Sequence, residues 1–273
     1  MKQRSNKSIL LLAQMAVLTA LSVVSVMVIH LPIVPAATFL EYDIADIFVL
    51  LAGLLLGPLP GLAVLLVTCL IQALTVSASS GVYGFVMHLV ASGMLVLPAS
   101  LIYNRAHRKP EHTLQGKAPN AAMTALAAGL LFCFGVMAGG MAWVSRLVKP
   151  LAQGETLSPP LELLRKALPP ATIAVFALLI LCAALLYRKQ KAPFRLILAL
   201  LAGSVAMVLV MIPMNLIVTP RFLGTPAEVV RAMLPTAILP FNLLKAGLNS
   251  ALTFLLFRAV YPILERSGLL GKK

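Results

Sequence analysis

The stretch Ile44-Ala45-Asp46-Ile47-Phe48-Val49-Leu50-Leu51-Ala52-Gly53-Leu54-Leu55-Leu56-Gly57-Pro58-Leu59-Pro60-Gly61 decides how many times this chain crosses a membrane. Its apolar run, 44–57, is short against the roughly 20 residues a helix needs to span the hydrocarbon core. The punctuation from Gly57 to Gly61 separates it from a further apolar run at 60–77. Two readings compete, a crossing helix and a re-entrant one. Lysine and arginine arbitrate between them, because cytoplasmic loops carry an excess of both.

Working outward, apolar runs lie at 8–30, 84–104, 120–145, 169–187, 195–219 and 233–259. If all eight runs cross, fifteen basic residues share one side, contributed by the N-terminal segment, the 105–117 and 188–195 loops and the C-terminal segment. Six lie on the other side and Lys245 stays inside a span. If 44–57 does not cross, the tally becomes nine against twelve. The expectation is an all-α polytopic bundle of about eight spans, multi-pass in a bacterial-type plasma membrane, with both termini cytoplasmic. Residues 1–273 then form a single transmembrane domain.

Composition supports the lipid setting. The 273 residues are 60% hydrophobic and 11% charged, with a mean hydropathy of +0.99. A soluble fold cannot hide that much apolar surface. The net charge of +14 sits in clusters between apolar runs, not on a polar basic face, so nucleic acid is not an expected partner. The basic Lys2, Arg4 and Lys7 imitate a signal peptide, but the run from Ser8 to Ile29 is too long for one and reads as a retained span. Cys69, Cys133 and Cys182 all fall inside apolar runs without a Cys-x-x-Cys pair, so they read as small buried hydrophobes. The four histidines are scattered, with His107 and His112 in a basic loop. No metal site is expected.

The last run holds the chemistry. Asn242, Lys245 and Asn249 are spaced i, i+3, i+7 and share one helical face. Lys245 lies about nine residues from the external end of its run, roughly 13 Å deep at 1.5 Å per residue. An ammonium there is costly unless it faces the bundle interior and finds a partner. Pro235 and Pro240 free backbone carbonyls nearby. Asn215, near the external end of the preceding span, adds a further carboxamide, and His88 in the fourth span is a candidate cavity residue or a helix-to-helix bond. Such groups suit a ligand with alternating carbonyl and N–H groups on an apolar body better than they suit an inorganic cation. The structural alternative is that Lys245 merely pairs with an acidic residue such as Asp46.

Two loops are notable. Leu31 to Asp43 reads as an external loop whose Glu41 and Asp43, with Asp46 just inside the next helix, complement a helix N-terminus. The 146–168 loop is long and mixed in charge, with an amphipathic piece from Leu161 to Leu168. In the first span, Ala16 and Ala20, followed by Ser22 and Ser25, let another helix approach closely. No Gly-x-x-x-x-Gly-Lys-Ser/Thr phosphate loop, His-Glu-x-x-His or Gly-x-Ser-x-Gly occurs, so the chain neither harnesses ATP itself nor reads as a hydrolase.

Three blocks carry a family resemblance: Phe39 to Gly61, Met214 to Phe222, and Leu239 to Ser250, with a looser match from Gly84 to Gly93. The chain resembles the substrate-binding S components of energy-coupling factor (ECF) vitamin transporters, of the riboflavin-specific RibU-like type. The resemblance covers about 1–104 and 195–265, and implies a six-helix core with an inserted helical hairpin within about 105–194. It implies that Asn215, Asn242 and Lys245 contact the isoalloxazine ring and that the loop from Leu40 to Asp46 helps cover the pocket. By the same resemblance, Ala16 and Ala20 dock on a transmembrane coupling protein that works with two ATPase subunits. Riboflavin is then a transported ligand and not a cofactor, and the chain is not an enzyme. Gln72 stands where the family pattern has lysine, and His88 where it tends to have asparagine. These departures keep an S component for another vitamin or cofactor precursor in view. The 146–168 loop and the added hairpin motivate a reading of another class, an intramembrane enzyme or sensor.

Overall fold

The computed structural model of the protein describes residues 2–34, 37–106 and 191–269, together with a few single helical positions between 159 and 177. Apart from those positions, the expected hairpin of 120–145 and 169–187, the 146–168 loop, His107, His112, Cys133 and Cys182 lie outside the described residues.

The apolar runs within the described residues are helical. They form α1 (Lys2–Val28), α2 (Ala45–Leu56), α3 (Pro58–Leu74), α4 (Gly81–Ala106), α5 (Lys191–Leu223), α6 (Ala227–Met233) and α7 (Leu239–Arg266). A 3-10 turn, Ala78–Ser80, leads into α4. A wider π-helical turn, Leu234–Ile238, joins α6 to α7. It spans Pro235 and ends just before Pro240, two residues that each lack a backbone donor. Among the described residues, four stretches are long and apolar enough to cross a membrane: Ser8–Val28, Ala78–Arg105, Phe194–Leu223 and Ala227–Arg266.

The pivotal stretch folds as two short helices. Gly57 reverses the chain between them with φ at 115°, a region that a side chain disfavours. Pro58 and Pro60 then occupy the first turn of α3, where a missing N–H costs nothing. At 12 residues, α2 is about 18 Å long, well short of the roughly 30 Å hydrocarbon core. Nearly all of it is buried, and Val49, Leu50, Leu51 and Leu54 form the centre of the main apolar core with residues of α3, α4, α5 and α7.

The segment ahead of α2, expected as a loop, contains a short β-hairpin. His30–Pro32 (β1) pairs antiparallel with Glu41–Asp43 (β2), His30 opposite Asp43. Around this hairpin Val34, Ala37, Leu40 and Tyr42 are buried in a second apolar cluster with Val230, Ala237, Ile238 and Phe241. The segment folds into the bundle because these side chains are apolar and the start of α7 offers them a matching surface. Asp43 also performs the capping expected of an acidic residue here: its Oδ1 accepts from the Ala45 N–H at 3.1 Å.

In lipid, helices associate through close packing and interhelical hydrogen bonds. Among the described elements the most extensive contact is between α4 and α5. It depends on Gly203, where a Cβ would collide with the Leu95 carbonyl oxygen. A hydroxyl pair, Ser204 and Ser250 at 2.9 Å, ties α5 to α7. Ser22 Oγ donates to the Ala45 carbonyl at 3.0 Å, tying α1 to α2. Leu12, Val17, Leu66, Leu70, Leu74, Val205, Leu209 and Ile217 point outward, an apolar exterior that suits hydrocarbon and not water.

Candidate functional site

One cavity is built at the end of the bundle where α1, α3 and α5 finish and α4 and α7 begin. It is partly open to solvent and has both polar and apolar walls. The hairpin contributes His30, Phe39, Leu40, Glu41 and Asp43; α3 gives Cys69 and Gln72; α4 gives Tyr83, Phe85, Met87 and His88. From α5 come Met207, Met211, Asn215, Thr219 and Phe222, and from α7 Phe241, Asn242 and Lys245.

Helical period explains two of these walls. Met207, Met211, Asn215 and Thr219 recur every four residues and so form one stripe of α5. Asn215 is fully buried; its Nδ2 donates to the Met211 carbonyl at 2.8 Å and its Oδ1 accepts from Thr219 Oγ1 at 3.0 Å. These bonds hold the carboxamide in one rotamer. On α7, Asn242 Nδ2 donates to the carbonyl of Ile238 at 2.8 Å, the last residue of the π-helical turn. Tyr83 and Phe222 meet with ring centroids 6.1 Å apart, joining α4 to the end of α5 beside the cavity.

Lys245 does find a partner, but it is not Asp46. Its Nζ donates to Asp43 Oδ2 at 2.7 Å, and both residues are buried. The reason is placement: the hairpin folds inward and delivers Asp43 to the face of α7 that carries the ammonium. Asp46 is one helical turn further on and is fully buried. Its Oδ2 accepts from Asn249 Nδ2 at 3.3 Å.

Asn249 organises this junction. Its Nδ2 also faces the Asp43 carbonyl at 3.2 Å, and its Oδ1 accepts from the Tyr42 hydroxyl at 3.0 Å. Asn249 and Asp46 therefore do not line the cavity with Asn242 and Lys245; Asn249 stands behind Asp43 and holds its backbone carbonyl. His88 does line it. Its Nδ1 lies 4.0 Å from Asp43 Oδ2 and its Nε2 3.7 Å from Asp46 Oδ1. At the rim, His30 Nε2 meets Glu41 Oε2 at 2.8 Å.

Some wall residues escaped the sequence reading as site residues. The Met207–Met211–Asn215 stripe was visible as a four-residue period, but in a helix apolar all round that period marks no particular face. Gln72 enters the sequence analysis only as a family departure; its side chain lines the cavity, and Oε1 is buried with no hydrogen-bond partner among the described residues. Ala16 and Ala20 do not line this site and lie on the exposed side of α1.

A helical, lipid-facing bundle enclosing a cavity with polar groups and apolar walls defines a membrane protein that binds a small molecule. The family model for the substrate-specific component of ECF transporters matches in two overlapping stretches, residues 11–135 and 115–257. The chain belongs to that family. It is thus a membrane-embedded transport component, not a member of an enzyme class, of a kind that works with an ECF module of membrane and ATPase subunits. A solved structure described as the S component of a bacterial ECF transporter shares its fold, with a TM-score of 0.55 at 19% identity. The alignment covers 94% of this chain and 98% of that one. No curated protein sequence matches the chain.

Proposed function

We propose that the chain is the riboflavin-binding subunit of a vitamin importer in a bacterial plasma membrane. The observation that carries the reading is that Asn215 on α5 and Asn242 and Lys245 on α7 line one cavity. Carboxamides offer both donors and acceptors, which complement the carbonyl and N–H edge of an isoalloxazine ring. Leu40, Met207, Met211 and Phe241 supply an apolar wall against which a flat ring packs. The test is to extract the purified protein and identify the released small molecule, then titrate riboflavin and follow the quenching of its fluorescence. Release of a different compound, with no quenching, overturns the flavin assignment.

A second reading keeps the class and changes the ligand. Gln72 Oε1 has no partner among the described residues, and His88 faces Asp43 and Asp46, so this wall favours a ligand rich in donors. A thermal-shift panel of vitamins and cofactor precursors separates the two readings.

The reading extends to topology, with eight crossings and both termini cytoplasmic. The basic-residue balance supports it, and the cavity, at the end of the bundle away from the N-terminus, then opens to the exterior. Leu74, an exposed residue at the last turn of α3 on that end, tests this in a cysteine-free background. Labelling of Leu74→Cys in intact cells by a membrane-impermeant thiol reagent is expected; labelling only after lysis reverses the orientation.

A further inference from the structure

We propose that this cavity admits uncharged or cationic compounds and rejects the phosphorylated or carboxylate-bearing forms of the same compounds. The inference rests on the reading of the cavity as the substrate site, but not on the ligand being a flavin.

The argument begins with the cations. Among the described residues, every cationic or potentially cationic side chain lining the cavity already faces a carboxylate. Lys245 is 2.7 Å from Asp43, and His30 is 2.8 Å from Glu41. His88 lies between Asp43 and Asp46, at 4.0 and 3.7 Å. With both imidazoles counted as protonated, three positive groups meet three carboxylates. With neither protonated, one ammonium meets three carboxylates. Counting Asp46, which stands behind the lining but faces His88, these described groups carry no net positive charge. Among the described residues no arginine lines the cavity; Arg221 is exposed, and its guanidinium donates back to the Ile217 carbonyl of its own helix.

A phosphate therefore meets no free fork of donors of the kind that recognises it. To use Lys245 it would have to displace Asp43 and leave a buried carboxylate unpaired, a costly exchange away from water. The α4 N-terminus beside Ser80 and Tyr83 adds backbone donors but no cation.

The second observation concerns the opposite requirement. Gln72 is 95% buried, lines the cavity, and presents an acceptor, Oε1, that no described residue satisfies. Such an atom needs an O–H or N–H. An ionised phosphate or carboxylate is an acceptor only and gives it nothing, whereas an uncharged hydroxyl or an amine does. Ser77 and Ser80, which line the cavity too, can bond to the same kind of group. The absence of cation surplus and the orphaned acceptor thus point the same way.

The test measures the affinity of the detergent-purified chain for matched pairs: riboflavin and flavin mononucleotide, thiamine and thiamine monophosphate, pyridoxal and pyridoxal phosphate, biotin amide and biotin. For whichever pair binds, the uncharged or cationic member is expected to bind at least tenfold more tightly. Equal or tighter binding of an anionic member overturns the proposal, and so does failure of every non-anionic member to bind. Binding of a non-flavin pair in the expected order supports it while removing the flavin assignment. Gln72→Lys, which adds a cation at the orphaned acceptor, and Glu41→Gln, which removes a carboxylate at the rim, are each expected to narrow the ratio several-fold. An unchanged ratio in whichever of the two variants folds also overturns it.

Discussion

The Nζ of Lys245 lies 2.7 Å from Oδ2 of Asp43, although the two residues are 202 positions apart. The contact joins the β1–β2 hairpin to the second turn of the last long helix. Asp43 simultaneously caps α2 through the Ala45 N–H and is held from behind by Asn249. One carboxylate thus ties together the hairpin, the start of α2 and the face of α7 that lines the cavity.

Removing either partner alone leaves a buried charge without its counter-ion. Lys245→Ala is expected to lower stability by roughly 3–5 kcal/mol, whereas Lys245→Met combined with Asp43→Asn loses much less. Thermal unfolding in detergent reads the difference. If the single variant is as stable as the double, the pair is not formed. The double variant then isolates the contribution of Lys245 and Asp43 to ligand affinity from their contribution to folding.

Tyr42→Phe deletes one hydroxyl and leaves Asn249 Oδ1 without the bond it accepts at 3.0 Å. The cost is expected to be about 1–3 kcal/mol, the range for orphaning a buried acceptor. Hydrogen exchange should show the loss locally, as faster exchange over the hairpin strands with α4 and α5 unchanged. Uniform exchange would mean that the hairpin is held by its apolar contacts instead. Asn249→Ala, which removes the contacts to Asp43, Asp46 and Tyr42 together, is expected to cost more.

Much of this architecture is legible from hydropathy, because a helix in lipid satisfies its backbone internally and its apolar run is a local property. The runs 8–30, 44–57, 60–77, 84–104 and 195–219 each find a helix within a few residues. The run 233–259 begins instead in the last residue of α6 and passes through the π-helical turn, whose wider winding is set by prolines that one-dimensional hydropathy does not see. The hairpin was not legible, since strands of three residues carry too little alternation to register. Its burial was equally hidden, for Leu40 and Tyr42 pack on Ile238 and Phe241 across almost the whole chain. The partner of Lys245 follows from that same long-range placement. Asp46 is the acid that lies inside a helix in the sequence, but Asp43 is the one the hairpin carries to the ammonium.

Gly203 tests whether the α4–α5 contact shapes the cavity. A Cβ there would meet the Leu95 carbonyl oxygen, whereas one added at Gly93 meets only Leu65 Cδ2 at 3.7 Å. Gly203→Ala is therefore expected to cost about 1–3 kcal/mol through overpacking and to weaken ligand binding, because both helices supply cavity walls. Gly93→Ala is expected to be tolerated in both respects. Equal behaviour of the two variants in thermal unfolding and ligand titration would show that α4 and α5 can separate without consequence.

The exposed face of α1 separates binding from transport. Ala16 and Ala20 lie one helical turn apart on that face, flanked by the exposed Val17 and Leu21, and neither lines the cavity. Small side chains at that spacing allow another helix to approach closely, which suits docking of the transmembrane coupling protein. Replacing both by tryptophan adds bulk where lipid accommodates it in the isolated subunit but a docked helix cannot. The isolated double variant is expected to keep its melting temperature and ligand affinity unchanged. When it is expressed with the coupling protein and both ATPases, uptake should fall to background and co-purification of the module should be lost. Normal uptake by the variant would place the docking surface elsewhere. Loss of ligand affinity in the isolated subunit would show that this face supports the cavity and not a partner.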